Sequence, residues 1–234
     1  MCTTKTRESA FHQKGFSSEP VLQLFRKVLS SRVSTDFTGN ILELGCGVGN
    51  LTQIISELTP HGNLFTGDLE ILSHQQGRPR FVQMNANCFH PFRAHAFDLI
   101  IASELIEHLE NVWVFLRESS RVLKTNGILI LSTPNIHSVR SIASWIVRGW
   151  HAGFGPLSFP EHISPISNFS MKMALDQAGL MWETNMYSDS GSFPGFPSFR
   201  WQTTALGRLL RGAYFSDNVL LIAHKKASPD SHQP

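Results

Sequence analysis

Residues 41–50, Ile41-Leu42-Glu43-Leu44-Gly45-Cys46-Gly47-Val48-Gly49-Asn50, run from a short apolar stretch into glycines at every second position. Asn50–Leu58 follows with apolar residues at helical spacing. A brief apolar run closed by glycine predicts a buried strand, so the segment reads as strand, tight turn, helix. Glycines let the backbone turn sharply and let a ligand approach with no Cβ in the way. Glu43 lies two residues before the first glycine. Asp68 lies 19 residues beyond Gly49, at the end of the next apolar run, Asn63–Gly67. A carboxylate in that place can accept both hydroxyls of a ribose. Asn50 stands where a GxGxxG dinucleotide pattern would have its third glycine, and no Gly-Lys-Ser/Thr follows, so the turn is neither that fingerprint nor a phosphate loop.

Outward from this turn the same alternation continues. Pro20 opens an apolar-periodic helix through Val33, with proline in its first turn. Phe81–Met84 and Phe97–Ser103 read as strands, and Val112–Leu123 as an amphipathic helix. An Asn126-Gly127 turn leads into a strand at Ile128–Ser132. Leu69–Pro79 has room for a stub of helix only. Near the end come a helix at Ser170–Ala178, stopped by Gly179, and strands at Leu180–Tyr187 and Asn218–His224. Strands alternating with helices predict an α/β domain with a parallel sheet covered on both faces.

The 234 residues suit one domain over 1–234. Hydrophobic residues make up 41% and charged residues 16%, the balance of a folded globular chain. A formal net charge of +2 is too close to balance to suggest a nucleic-acid or membrane partner, and a nucleic-acid partner is unlikely. Cys2, Cys46 and Cys88 have no CxxC spacing, which excludes a disulfide framework and a cysteine zinc site and suits a reducing, cytoplasmic compartment. Residues 1–18 lack the apolar stretch of a signal peptide, and with 227–234 they read as flexible ends.

Four blocks carry a family resemblance: ELGCGVGN (43–50), GDLE (67–70), FDLIIASELIEHLEN (97–111) and LRESSRVLKTNGILILSTPN (116–135). In order and spacing they resemble the class I S-adenosylmethionine-dependent methyltransferases, in particular the branch of ubiquinone-biosynthesis O-methyltransferases. The resemblance covers Ile41–Asn135 and extends more weakly to Lys226. It implies a Rossmann-like seven-stranded, mostly parallel sheet with an antiparallel last strand. It also implies S-adenosylmethionine as cofactor, with Gly45, Gly47 and Gly49 along its methionine part and Asp68 on its ribose. Asn85-Ala86 stands where the family usually has Asp-Ala at the adenine, and Glu43, Cys46 and Ser103 complete the expected cofactor set.

Glu104, Glu107 and His108 follow the Phe97–Ser103 strand. In a helix these positions, i, i+3 and i+4, share one face. Two carboxylates and an imidazole so placed suit Mg²⁺, Mn²⁺ or Zn²⁺, with His162 of the segment PEHISPIS as a fourth ligand. The E-x-x-E-H spacing with a later histidine resembles metal sites of small-RNA 2′-O-methyltransferases and of metal-dependent ubiquinone O-methyltransferases. Without a metal, His108 or His162 is the candidate general base. The stretch after the strand, Ala102-Ser103-Glu104-Leu105, lacks both the Asn/Asp-Pro-Pro-aromatic block of amino-methylating nucleic-acid enzymes and a Pro-Cys pair, which favours an oxygen acceptor. An RNA 2′-O-methyltransferase is the alternative enzyme. A non-catalytic module that keeps the fold is disfavoured by the intact glycines and Asp68.

Two stretches exceed what a minimal sheet needs, 133–167 and 188–216. The first holds Trp145, Trp150, Phe154 and Phe159; the second holds Phe193, Phe196, Phe199, Trp201, Tyr214 and Phe215. Long ordered inserts of this kind are often lids. Their aromatics suit a small apolar or aromatic acceptor beneath them, a peripheral membrane contact through Ile142–Phe159, packing onto the domain, or a contact between copies, and the oligomeric state stays open.

Overall fold

The computed structural model describes residues 17–70, 80–207 and 209–227. The helix stub expected within Leu69–Pro79, and most of both expected flexible ends, lie outside the described residues.

The chain runs α1 (Glu19–Arg32), β1 (Asn40–Leu44), α2 (Asn50–Leu58), β2 (Asn63–Asp68), β3 (Phe81–Gln83), β4 (Phe97–Ala102), α3 (Val112–Val122) and β5 (Leu123–Pro134). It continues through α4 (Val139–Arg148), α5 (Asn168–Gln177), β6 (Leu180–Tyr187), the short strands β7 (Ser192–Phe193) and β8 (Phe196–Arg200), and β9 (Asn218–Lys225). Seven strands form one sheet in the order β3-β2-β1-β4-β5-β9-β6. Strands β3 to β5 pair in parallel, and β9 pairs antiparallel to both β5 and β6. β6 therefore runs in the same direction as β5, and only β9 is reversed.

Neighbouring residues of the central strands enter opposite cores, because successive side chains point to opposite faces of a sheet. Leu42, Leu44, Ile100, Leu129 and Leu131 pack on the side of α3 and α5, where Phe115, Leu116, Met171 and Leu175 are buried. Ile41, Leu99, Ile101 and Ile130 face α1 and α2, with Val21, Phe25, Leu29 and Ile55. Coverage of both faces is why these strands read as continuous apolar runs. Each large side chain so buried contributes about 1.5–3 kcal/mol by leaving water.

Three local features depart from the sequence reading. β5 begins at Leu123, not Ile128: Phe97 pairs with Leu123 and Leu99 with Ile128, so residues 124–127 bulge out, with Asn126 in the left-handed region. The Asn-Gly turn thus survives as a bulge within one strand. The first insert contains α4, and the second contains the β7–β8 hairpin. No helix begins at Glu104; only a single 3-10 turn, Ile106–His108, follows β4.

Both inserts leave the same edge of the sheet, one from the C-terminal end of β5 and the other from that of β6. The turns after β1, β2, β3 and β4 reach this edge as well, where open α/β sheets bind ligands.

Candidate functional site

The glycine turn is held against β2 by backbone and side chain together. Gly45 N–H donates to Gly67 O at 2.8 Å, and Gly47 N–H donates to Asp68 Oδ2 at 2.8 Å. Asp68 Oδ1 also accepts from Leu69 N–H at 2.6 Å. Gly45 (φ 72°) and Gly47 (φ 47°) both occupy the left-handed region. At Gly45 space adds to conformation, since a Cβ there would lie 2.9 Å from a Leu105 methyl carbon. Beneath the turn the buried Glu43 accepts a hydrogen bond from Thr52 Oγ1 at 2.6 Å, tying β1 to α2.

A cleft of about 190 Å³ opens along this edge. Gly45, Asp68 and Glu70 form one side; Met84, Asn85 and Ala86 form another; Leu105 and Leu109 supply an apolar floor. Asn85 Oδ1 accepts from Asn87 N–H at 3.0 Å, a turn that fixes this side chain at the rim. A carboxylate at one end, glycine backbone beside it and an apolar floor further on suit a nucleoside whose ribose meets Asp68 and whose base lies toward Met84 and Ala86. Of the residues assigned to the cofactor from sequence, Gly45, Asp68, Asn85 and Ala86 line the cleft. Glu43, Cys46, Gly47 and Gly49 shape the turn behind it. Ser103 is buried at the end of β4, with its Oγ 2.8 Å from Ser17 Oγ and 3.3 Å from Ser132 Oγ. Met84, Leu105 and Glu70 were missed. Their only signal is position, immediately after a strand end or a turn.

At the far wall of the cleft stand His108, Pro160 and Glu161. His108 and His162 meet edge to face, with ring centroids 4.7 Å apart. His108 Nδ1 donates to Glu161 O at 2.9 Å, and His162 Nδ1 donates to Gly153 O at 2.7 Å. A carbonyl only accepts, so each neutral ring carries hydrogen on Nδ1, and the His108 ring also interacts with the backbone carbonyl of Glu104. Burial pushes His108 down to about 4, with the His162 charge as a lesser cause, and burial likewise lowers His162. The Glu107 carboxylate is fully buried. Neither of its oxygens makes a hydrogen bond of good geometry, and the Thr133 hydroxyl beside it is left without one too. Burial, and then the charge of Glu104, hold Glu107 well above the usual carboxylate range. Ligand atoms of Glu107, His108 and His162 lie within 4.8 Å of one another.

Glu104 does not join them. Its backbone is left-handed (φ 49°), which is incompatible with a right-handed helix and removes the expected i, i+3, i+4 face. Its carboxylate accepts instead from Ser132 Oγ at 3.1 Å and Asn218 Nδ2 at 2.9 Å, on the side toward the inserts. Burial raises it to about 7.

Residues 18–184 match the family model of a methyltransferase domain. The chain belongs to this family, the class I S-adenosylmethionine-dependent methyltransferases. It is 34% identical over 98 residues to a probable S-adenosylmethionine-dependent methyltransferase of Mycobacterium tuberculosis, covering 41% of this chain and 36% of that one. It is 27% identical over 132 residues to a ubiquinone biosynthesis O-methyltransferase of Bradyrhizobium diazoefficiens, covering 47% of this chain and 49% of that one. The chain thus spans less than half the length of these curated relatives. A SAM-dependent methyltransferase from Archaeoglobus fulgidus shares its fold, with a TM-score of 0.60 at 16% identity, over 94% of this chain and 100% of that one.

Proposed function

We propose that this methyltransferase moves the methyl group of S-adenosylmethionine to an oxygen of a small lipophilic or aromatic acceptor, at the Glu107–His108–His162 cluster. One observation carries the reading. The cluster touches the cofactor-side cleft directly and reaches the larger cavity through one hydrogen bond. His108 lines the cofactor cleft, and His162 is bonded to Gly153, which lines a larger cavity of about 770 Å³ under the inserts. An acceptor held under the inserts would lie on the His162 side of the pair, and the cofactor on the His108 side. Methylation at oxygen is also the activity in the name of the ubiquinone-biosynthesis relative.

The chemistry asked of the protein is chiefly positioning. The acceptor oxygen attacks the sulfonium methyl, the new C–O bond forms as the C–S bond breaks, and the electron pair returns to sulfur. Alignment of oxygen, carbon and sulfur supplies much of the rate. The acceptor's hydroxyl proton passes to Nε2 of His108 or His162, both neutral at physiological pH because they are buried.

The same residues fit a divalent cation. Glu107 is a buried carboxylate whose oxygens make no hydrogen bond of good geometry, and two imidazoles are held through Nδ1 by backbone carbonyls. Glu107, His108 and His162 would hold the ion, and Glu104 would not unless its side chain left Ser132 and Asn218. A bound cation would lower the pKa of the acceptor hydroxyl.

Titration calorimetry with S-adenosylmethionine tests the cofactor half. Gly47→Val forces a branched side chain into φ 47°, and Asp68→Ala removes the carboxylate. Each should weaken binding at least tenfold, or about 1.4 kcal/mol, the scale of a charge-assisted hydrogen bond. Unchanged affinity in both variants would defeat the assignment. Formation of S-adenosylhomocysteine with phenolic or hydroxylated apolar acceptors tests the other half, and its absence across such a panel would remove the acceptor class. Elemental analysis of the purified protein, and activity after chelation, decide between the cation and the metal-free base.

A further inference from the structure

α4 is turned inside out. Ser141 on this helix is 1% exposed, whereas Trp145, Ile146 and Val147 are 56%, 70% and 80% exposed. The helix is nonetheless fully formed, capped at its start by Ser138 Oγ accepting from Ser141 N–H and at its end by Gly149 in the left-handed region. Three large apolar side chains on consecutive positions of a stable helix, all turned to water, forgo burial worth about 1.5–3 kcal/mol each. The surface does not end with the helix. Val147, Trp150 and Leu157, the last 100% exposed, rim the mouth of the large cavity together with Pro194 and Pro197 of the β7–β8 hairpin. Phe196 and Phe199 on that hairpin are exposed as well, and α4 packs beside Ala213–Phe215, where Tyr214 is exposed. Apolar surface from both inserts thus surrounds one opening. Continuous exposed patches of this kind mark interaction sites rather than ordinary scatter.

Charge indicates what covers it. In the two inserts the ionisable residues, histidines and tyrosine apart, are Arg140, Arg148, Arg200, Arg208 and Arg211 against Glu161 and Asp189. Arg140 is paired with Asp217 at 3.1 Å, and Asp189 is occupied by Gly212 N–H. Arg148, Arg200 and Arg211 are exposed. Arg148 stands at the cavity mouth itself, so a second copy docking there through a two-fold axis would bring like charges together. A negatively charged lipid surface meets both features, taking aromatic and aliphatic side chains into its headgroup boundary and arginines onto its phosphates.

We infer that the α4–hairpin face docks on an anionic bilayer surface, with Trp145, Ile146 and Val147 entering it and the mouth of the large cavity turned toward the lipid. The docking stands whether or not the acceptor class above is right, because the evidence for it is the surface itself. If that class is right, an apolar acceptor would pass from the bilayer into the cavity without crossing water.

The test is sedimentation of the full chain with vesicles of phosphatidylcholine, alone or mixed with phosphatidylglycerol, at low and high salt. The protein should pellet with the mixed vesicles only, and less so as salt rises. The triple variant Trp145→Ser, Ile146→Ser, Val147→Ser replaces solvent-facing atoms, so it should keep the wild-type melting temperature and S-adenosylmethionine affinity while losing vesicle binding at least tenfold, about the burial of one such side chain. Arg148→Gln and Arg211→Gln should each weaken binding about fivefold. No partitioning by the wild type, equal partitioning onto uncharged vesicles, or undiminished binding by the triple variant would overturn the inference. So would a wild-type dimer that the triple variant turns into a monomer while neither binds vesicles, which would make the face a contact between copies. None of these readouts uses a methyl acceptor.

Discussion

The two halves of the molecule use the same residue types in opposite ways. From β1 to β4, apolar side chains point inward, and polar groups at the strand ends are tied to backbone: Asp68 to Gly47 and Leu69, Asn85 to Asn87. In the inserts several serines and an asparagine are inside while several large apolar side chains are outside. Asn135, Ser138, Ser141 and Ser192 are buried; Trp145, Ile146, Phe196 and Phe199 are exposed. Asn135 Nδ2 donates to Ala213 O at 2.6 Å and to Ser216 O at 2.9 Å, so a polar hinge, not an apolar core, joins the first insert to the second. The sheet holds the cores, and the inserts leave apolar surface exposed.

The largest test of this contrast compares two isoleucines. Ile101 is completely buried between β1 and β5. Ile101→Ala should cost about 2–5 kcal/mol, through lost transfer energy and the cavity left behind. Ile146→Ala should stay within about 0.5 kcal/mol, because its side chain already faces water. Urea unfolding of the two variants measures both. Equal losses would mean that the inserts share the core of the sheet.

A second test uses acid. His90, between β3 and β4, is fully buried, and burial pushes its imidazole down to about 4. In the unfolded chain it titrates near its ordinary value of about 6.5. Between these values the unfolded state binds the proton and the folded state does not, so stability is whole above about pH 6.5 and falls as the pH drops toward 4, by about 3 kcal/mol from this residue. Unfolding midpoints measured across that range, in wild type and His90→Leu, should show the variant with the flatter dependence. Parallel curves would show that His90 titrates alike in both states.

The smallest test compares two helix caps. Asn111 Oδ1 accepts from Val114 N–H at 3.0 Å at the start of α3, and Ser138 Oγ accepts from Ser141 N–H at 3.1 Å at the start of α4. Replacement by alanine should cost each helix about 1 kcal/mol. For Asn111→Ala the loss should appear in global unfolding, because α3 carries Phe115 and Leu116 into the core. For Ser138→Ala it should appear in hydrogen exchange of α4, with the global midpoint unmoved. A shifted global midpoint in Ser138→Ala would show that α4 unfolds with the sheet.

Much of the first half was legible from sequence because its signals are local. Apolar runs with turn residues after them are strands whatever surrounds them, and the glycines at 45, 47 and 49 state their own backbone requirement. A single acid after the second run, Asp68, marks one end of the cleft. The reading failed at Glu104, where three residues at helical spacing were taken to share a face. Nothing in residues 104–108 records that Ser132 and Asn218, from two other strands, hold the Glu104 carboxylate and that its backbone turns left-handed.

By itself the sequence determined the order of the elements, the glycine turn, Asp68 and the candidate ligands Glu107, His108 and His162, since each depends on neighbours in the chain or on residue chemistry. Only the tertiary structure decided that His108 and His162 meet ring to ring, that Glu107 is buried with no hydrogen bond of good geometry and that Glu104 belongs to the other side. It also decided that the last turn of α4 stands in water. Helical spacing sets Trp145, Ile146 and Val147 about 100° apart around the axis, on different sides of the helix, and cannot say which of them the rest of the fold will cover. That choice is made by packing between segments far apart in the chain, where local pattern carries no information.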